Sequence, residues 1–151
     1  MGGGEFSFNY RPEAGEPTTP LFVNGEARDT LSVSDRGLVY GDGLFETISV
    51  RGGEPEFWGR HMDRLREGCA RLRLGEPNLG ELNRETELLI NGQCTTQDVD
   101  QGIVKIIITR GSGGRGYRAP QELTPTRITT FHLWPEIPDS HALEGVKARR
   151  C

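Results

Sequence analysis

Residues 34–47 read SDRGLVYGDGLFET and residues 110–117 read RGSGGRGY, and these two stretches carry most of the information in the chain. Each places glycines beside arginine and aromatic side chains. Because glycine lacks a Cβ, its backbone can approach a ligand closely, and successive N–H groups in such segments form concave sites for anions. The two stretches therefore predict a site for an anionic small molecule, built from distant parts of the sequence.

Between these stretches the spacing of the apolar side chains changes to that of a helix. From residue 58 onward they recur at intervals of three and four: Met62, Leu65, Cys69 and Leu72. Residues with this spacing lie on one helical face. Gly75 and Pro77 follow, as is common at a helix end. We therefore predict a main helix over 58–74.

The other predicted elements fall into separate runs of strands and helices. A second helix is predicted over 79–90, stopped by Asn91 and Gly92. Segments rich in branched or aromatic residues predict strands over 21–23, 44–50, 54–57, 102–109 and 127–134. Separate runs favour an α+β domain with a mainly antiparallel sheet and two helices.

Length and composition set the domain organisation. The chain has 151 residues, which suits one domain, and residues 1–20 are rich in Gly, Pro, Glu and Thr. We predict a flexible tail over 1–20, an α+β domain over 21–134 and a linker over 135–145. Residues 146–151 are interpreted as the start of a truncated second domain.

Charge and cysteine content exclude several classes of function. The net charge is −4, so we expect no nucleic-acid partner. The chain has no apolar run of signal-peptide or membrane length, which predicts a soluble, cytoplasmic chain that binds no membrane. Its three cysteines and three histidines have no metal-ligand spacing, so no metal is expected.

The sequences of both glycine-rich stretches resemble those of class-IV aminotransferase-like enzymes, the fold-type IV pyridoxal 5′-phosphate (PLP) proteins. The resemblance runs from about Pro20 to the end of the chain. Within this family, RGSGGRGY is most similar to the aminodeoxychorismate lyases. The resemblance implies a PLP cofactor, a small-molecule substrate, a homodimer and the N-terminal part of a two-domain enzyme.

Arg64 is the candidate cofactor-binding residue. It stands in HMDRL near the start of the predicted main helix, where a solvated surface arginine would be the simplest interpretation. In the resembling family, an H-x-x-R-L signature supplies the arginine that binds the PLP phosphate. A planar, permanently charged guanidinium suits that ligand.

Three further residues are candidates for substrate binding by resemblance. Tyr40 lies in the segment that lines the family's substrate pocket, although it and Phe45 could also be core aromatics. Arg115 matches the family's arginine for a substrate carboxylate, often presented across the dimer interface, and Tyr117 accompanies it. We predict that these residues and Arg64 converge on one concave surface, not necessarily within one subunit.

No catalytic residue is assigned, because the lysine that holds PLP in this family has no match. Lys147 stands in LEGVKARRC, too soon after Tyr117 and without the family's continuation. Lys105 lies inside a predicted core strand and matches no motif. The resemblance implies that the parent protein is a PLP-dependent carbon–carbon lyase. Because the lysine has no match, we expect this chain alone to be inactive. The alternatives are a class-IV transaminase for D-alanine or branched-chain amino acids, and a non-catalytic fragment or pairing domain.

Several other polar residues are interpreted as structural. Asp35 and Asp42 are predicted to form turns by binding nearby backbone N–H groups. Arg110 is either structural or part of the anion site. We expect surface positions for Arg118 and Arg127, and structural or surface roles for the three histidines His61, His132 and His141.

Overall fold

The computed structural model describes residues 21–97, 101–113, 115–118, 124–134, 143, 145 and 147–149. The tail predicted for residues 1–20 lies outside the described residues. So do His141, most of the linker predicted over 135–145 and part of 146–151. The predicted domain boundaries therefore stay predictions.

The described chain alternates short strands with three helices. In chain order the elements are β1 (Leu21–Val23), β2 (Glu26–Ala27), α1 (Arg36–Tyr40), β3 (Gly43–Arg51), β4 (Glu54–Pro55), α2 (Trp58–Leu72), α3 (Leu79–Gln97), β5 (Gly102–Thr109) and β6 (Thr126–Leu133). Among these helices, none is long and apolar enough to cross a membrane.

All six strands join in one antiparallel sheet. Their order is β2-β1-β6-β5-β3-β4. The central register places Val104 of β5 opposite Ile48 of β3 on one side and Phe131 of β6 on the other. Because opposed residues project to the same face, these three side chains belong to one layer. The prediction of an α+β domain with a mainly antiparallel sheet is confirmed.

The long helices cover one face of this sheet and enclose the core. Helix α2 packs on β3, and α3 packs on β6. The core includes Ile48, Leu65, Leu82, Val104 and Ile106, each without measurable exposure. Burying an aliphatic side chain of this size contributes about 1.5–3 kcal/mol. The core therefore fixes α2 against β3, where two of the polar residues described below meet.

The main predicted helix is confirmed as α2, and the backbone conformation of the residues after it explains where it ends. Arg73 adopts a left-handed conformation (φ 55°), and its N–H donates to the carbonyl of Ala70. Gly75 follows with φ 86°, a conformation that glycine adopts without steric cost. The helix thus stops at Leu72, two residues before the predicted end.

Two predictions about the helices were wrong. Helix α3 runs through Asn91 and Gly92 to Gln97. A glycine inside a helix costs only about 1 kcal/mol, and the buried Leu89 and Ile90 anchor this turn to the core. The chain also forms a short helix over Arg36–Tyr40, where no helix was predicted, so the described part holds three helices instead of two.

Candidate functional site

A buried carboxylate on β3 holds two side chains of α2. Glu46 projects into the face that the helices cover, and its side chain is 2% exposed. Arg64 donates from Nε to Oε1 at 2.8 Å and from Nη2 to Oε2 at 2.5 Å. His61, one turn earlier on α2, places Nδ1 2.7 Å from Oε2. The cluster of Glu46, His61 and Arg64 is called the Glu46 cluster below.

Glu46 and Arg64 keep their charges, and Arg64 presents its charge to solvent. Burial raises the pKa of Glu46, but the hydrogen bonds from Arg64 and His61 outweigh it and hold this pKa below its ordinary value. The same bond to Glu46 raises the pKa of Arg64. The Arg64 side chain is 68% exposed, and its Nη1 has no partner among the described residues. Arg64 is thus a fixed, charged group with donor capacity left for an anion.

A second arginine holds the glycine-rich loop that follows β5. Arg36 of α1 is buried, and its Nε donates to Asp42 Oδ2 at 2.9 Å. Its Nη1 donates to the carbonyl of Gly116 at 3.0 Å, and its Nη2 to that of Tyr117 at 3.2 Å. One buried guanidinium therefore ties the loop to the carboxylate and sets the path of the loop backbone.

Arg110 completes this network from the end of β5. Its Nε donates to Asp42 Oδ2 at 2.7 Å. Its two terminal nitrogens donate to the carbonyls of Arg73 and Leu72, at 3.1 and 2.9 Å, which caps the C-terminal end of α2. The hydrogen bond from Arg110 is the main cause that holds the pKa of Asp42 low; burial opposes it and Arg36 reinforces it. Arg110 is therefore structural.

The loop brings two of the predicted substrate residues together. The Tyr40 hydroxyl accepts a hydrogen bond from the Gly116 N–H at 3.0 Å, and the Tyr40 and Tyr117 rings lie 5.6 Å apart. The Arg36 guanidinium lies 4.6 Å from the centre of the Tyr40 ring. Arg115 and Tyr117 are exposed, Tyr117 to 91%. Within the described residues no hydrogen bond, ion pair or ring contact joins Arg64 to these three, so their convergence on one surface stays a prediction.

Two predictions about polar residues were wrong, and two others hold. The Asp42 carboxylate binds two guanidinium groups, not a nearby backbone N–H. Arg127 is half-buried, because its Nη2 pairs with Oε1 of the fully buried Glu85 at 2.7 Å. Asp35 does form its turn, since Oδ1 accepts the Gly37 N–H at 2.8 Å. Arg118 lies on the surface, as predicted.

Sequence reasoning missed Arg36 and Glu46, although both lie in the stretch quoted first. A signal for Glu46 was available: it alternates with Ile48 and Val50, so it had to face the core. A buried carboxylate requires a charged or hydrogen-bonding partner. The loop partners of Arg36 had no comparable signal, because the carbonyls that it binds lie 80 and 81 residues away.

The fold and these contacts define an α+β domain with an exposed guanidinium beside the sheet and an aromatic pair between α1 and the glycine-rich loop. The comparisons with known proteins agree on a family. The model of the amino-transferase class IV family matches residues 43–150, and the chain belongs to this family.

Individual relatives include both lyases and transaminases. The chain is 36% identical over 97 residues to aminodeoxychorismate lyase of Vibrio harveyi, covering 64% of this chain and 34% of that protein. It is 29% identical over 133 residues to D-alanine aminotransferase of Staphylococcus aureus, covering 83% and 45%. The structure of 4-amino-4-deoxychorismate lyase from Pseudomonas aeruginosa matches with a TM-score of 0.70 at 41% identity, covering 83% and 44%. The chain thus spans less than half the length of these relatives.

Proposed function

We propose that this chain is the N-terminal part of an aminodeoxychorismate lyase, which converts 4-amino-4-deoxychorismate to 4-aminobenzoate and pyruvate in folate biosynthesis. The observation that carries the proposal is the Glu46 cluster, which fixes an exposed, charged Arg64. The glycine-rich loop with Arg115 and Tyr117, which Arg36 holds in place, also supports the proposal. The higher identities, 36% and 41%, are to lyases, against 29% to the transaminase. As in the resembling family, we infer a cytoplasmic homodimer.

The cofactor of this proposal is PLP, and the side chains of the Glu46 cluster fit its phosphate. A phosphate dianion requires fixed cationic donors, and Arg64 offers a guanidinium whose direction Glu46 sets. When bound, PLP supplies an electron sink for carbanion chemistry. We assign the binding of the phosphate to Arg64 and no catalytic step to this chain.

The loop residues bind and orient the substrate in this proposal. Arg115 pairs with a substrate carboxylate, while Tyr40 and Tyr117 form an aromatic wall beside it. Arg36 fixes the loop from behind through the Gly116 and Tyr117 carbonyls, so the loop does not have to be ordered when substrate binds. This pre-organisation lowers the entropic cost of binding.

Neither lysine that the structure describes is assigned to hold PLP. Lys105 is opposite Thr47 in the sheet, on the face away from Glu46, and its Nζ lies 4.9 Å from the centre of the Phe45 ring. Lys147 is exposed and carries no family motif. We therefore propose that the 151-residue chain alone forms no 4-aminobenzoate. Borohydride reduction with PLP, followed by peptide mass mapping, tests this, and a stoichiometric adduct on Lys147 would contradict it.

A chimera tests the proposed reaction. Residues 21–134 replace the corresponding segment of the Pseudomonas aeruginosa lyase, which supplies the remainder of the fold. We expect 4-aminobenzoate and pyruvate from 4-amino-4-deoxychorismate, and no amino transfer from D-alanine. Replacing Arg115→Gln should lower kcat/KM about tenfold or more, because a charged partner of the carboxylate is lost. Arg118→Gln, an exposed neighbour on the same loop, is the matched control and should change it little.

The outcomes of this assay separate the alternatives. Transfer of the amino group from D-alanine, without 4-aminobenzoate, would favour the class-IV transaminase, for which the Staphylococcus aureus relative is the supporting observation. A chimera that binds PLP and performs neither reaction would favour a non-catalytic pairing domain.

A further inference from the structure

A buried carboxylate at the start of α1, Asp35, joins this helix to two strands of the sheet. The residue has no measurable exposure. Its Oδ2 accepts hydrogen bonds from the hydroxyls of Thr109 at 3.0 Å and of Thr126 at 2.8 Å. These two threonines are opposite each other, at the end of β5 and the start of β6. Asp35 therefore holds together the two strands between which the glycine-rich loop stands in the sequence.

The chemistry of a carboxylate sets the direction of these hydrogen bonds. A carboxylate accepts hydrogen bonds and cannot donate them. The Thr109 hydroxyl therefore gives its one hydrogen to Asp35, and its oxygen is left to accept. It accepts a hydrogen bond from the Gly111 N–H at 3.0 Å. Two successive hydrogen bonds thus lead from the buried carboxylate to Gly111, which is called the root of the loop below.

Both backbone groups of the root are held. Gly111 is buried, and its carbonyl accepts a hydrogen bond from the backbone N–H of Arg36 at 2.9 Å. Helix α1 also approaches the root closely, because a Cβ on Gly37 would clash with the Thr109 side chain. The first turn of α1 and the end of β5 therefore fix the direction in which the loop leaves the sheet.

The same helix holds the far part of the loop. Arg36 binds the carbonyls of Gly116 and Tyr117, and the Tyr40 hydroxyl accepts the Gly116 N–H. Arg115 stands between the root and these contacts in the sequence. A loop that is fixed at two points on one helix has fewer conformations to lose when a ligand binds.

We propose that Asp35 is a positioning residue for substrate binding: through Thr109 and Gly111 it sets the path of the loop that carries Arg115. This inference rests on the proposed function, in which Arg115 binds a substrate carboxylate. Asp35 is buried and acts without touching the substrate. The Thr126 hydroxyl bonds to the same oxygen of Asp35, but it has no hydrogen bond to the loop among the described residues.

That difference between the two threonines provides a matched test. Thr109→Val and Thr126→Val each keep the shape of the side chain and remove one donor from Asp35, but only the first removes the acceptor of the Gly111 N–H. Amide hydrogen exchange is measured by NMR in the ¹⁵N-labelled 151-residue chain. We expect Gly111 to exchange about fivefold faster or more in Thr109→Val, the effect of one hydrogen bond, and at the wild-type rate in Thr126→Val.

A serine at the same position tests the hydroxyl whether or not Thr109→Val folds. Thr109→Ser keeps both hydrogen bonds of the hydroxyl, so Gly111 should exchange as slowly as in the wild type. Exchange at equal rates in the two valine variants would mean that Asp35 only stabilises the fold, and it would overturn the proposal. Fast exchange of Gly111 in Thr109→Ser would overturn it as well.

Kinetics of the chimera that carries residues 21–134 test the consequence for substrate. We expect Thr109→Val to raise KM about threefold or more at unchanged kcat, because a loop only partly in its binding conformation lowers the apparent affinity and leaves the chemical step as it was. Thr126→Val should change neither constant. A lower kcat at unchanged KM in Thr109→Val would contradict positioning. A chimera without activity before any substitution would contradict the proposed function instead, and the exchange rates would still decide whether Asp35 holds the loop.

Discussion

Arg36 and Arg64 are each held by a carboxylate of the same sequence stretch, yet the fold uses them differently. Arg36 is 2% exposed, and all three of its nitrogens bind protein groups. Arg64 is 68% exposed, and among the described residues only Glu46 binds it. The first guanidinium is buried with each of its nitrogens engaged, whereas the second is fixed by its carboxylate and stays exposed.

The difference shows how a structural arginine can be told from a ligand-binding one. The structural arginine is buried and each of its nitrogens binds a protein group, whereas the other is exposed and keeps a nitrogen without a partner among the described residues. An exposed ion pair contributes little to stability because water competes for both charges. A buried arginine whose partners depend on it is costly to remove, because its loss leaves them unpaired. The same residue type thus supports the loop in one place and, in the proposed function, binds a phosphate in the other.

The largest expected effect is at Arg36. Replacing Arg36→Met leaves the Gly116 and Tyr117 carbonyls without their donor and Asp42 with one partner fewer. We expect a loss of about 3–5 kcal/mol in the free energy of unfolding, measured by urea denaturation. The released loop should also be cut faster by trypsin after Arg115.

The control for this prediction is Arg66→Met. Arg66 pairs with Glu76 on the surface, where a salt bridge contributes about 0–1 kcal/mol. If both variants lost similar stability, or if trypsin cut the loop of Arg36→Met no faster than that of the wild type, the structural role of Arg36 would be refuted.

The next effect is at the carboxylate that holds Arg64. Glu46→Gln keeps the volume but replaces charged hydrogen bonds to Arg64 and His61 by weaker ones. Bonds to charged groups contribute about 1.5–3 kcal/mol, so we expect a loss of about 2 kcal/mol in urea denaturation. Glu67→Gln, an exposed partner of Arg71 on the same helix, should lose about 0.5 kcal/mol or less. A Glu46 variant as stable as the Glu67 variant would contradict the buried cluster.

The stability of the chain should depend on pH through the titration of Glu46. The pKa of Glu46 is lower in the folded chain than its ordinary value of about 4.3, so the unfolded chain binds more protons in that range. Its contribution is fully present above this value and is lost as the pH falls through the folded-state pKa. Between pH 7 and pH 3, the urea midpoint of Glu46→Gln should therefore fall less than that of the wild type. Parallel curves would contradict the lowered pKa.

Arg64→Met should destabilise the chain less than Arg36→Met. It removes an exposed side chain and leaves no backbone carbonyl without its donor, and the buried Glu46 keeps His61 as its second partner. We expect a smaller loss in urea denaturation than for Arg36→Met. An equal or larger loss would mean that Arg64 is a structural residue, and it would remove the difference on which its assignment rests.

The sequence predicted those parts of the fold in which local periodicity and burial agree. Helix α2 was predictable because its apolar residues, from Met62 to Leu72, repeat over about three turns. Helix α1 was not, because five residues are too few to show a period, although Asp35 and Gly41 cap its two ends. The Asn91–Gly92 signal failed because tertiary burial of Ile90 outweighed a local preference.

For the candidate site, the sequence identified side chains but not their partners. Arg64, Tyr40 and Tyr117 were selected from motifs, and the contact between the two tyrosines followed from the fold. The partners of Arg36 depend on the way β5 brings the loop next to α1, which no local pattern encodes. That Arg64 and Arg115 share one surface stays a prediction.

The central claim is that Arg64 binds the phosphate of a PLP-like ligand. Equilibrium dialysis of the 151-residue chain against PLP and against pyridoxal, which lacks the phosphate, tests it directly, with Arg64→Met in parallel. We expect the wild-type chain to bind PLP at least about tenfold more tightly than pyridoxal, the effect of one charge-assisted contact, and Arg64→Met to abolish this preference. Equal affinities in the wild type, or an unchanged preference in Arg64→Met, would contradict it.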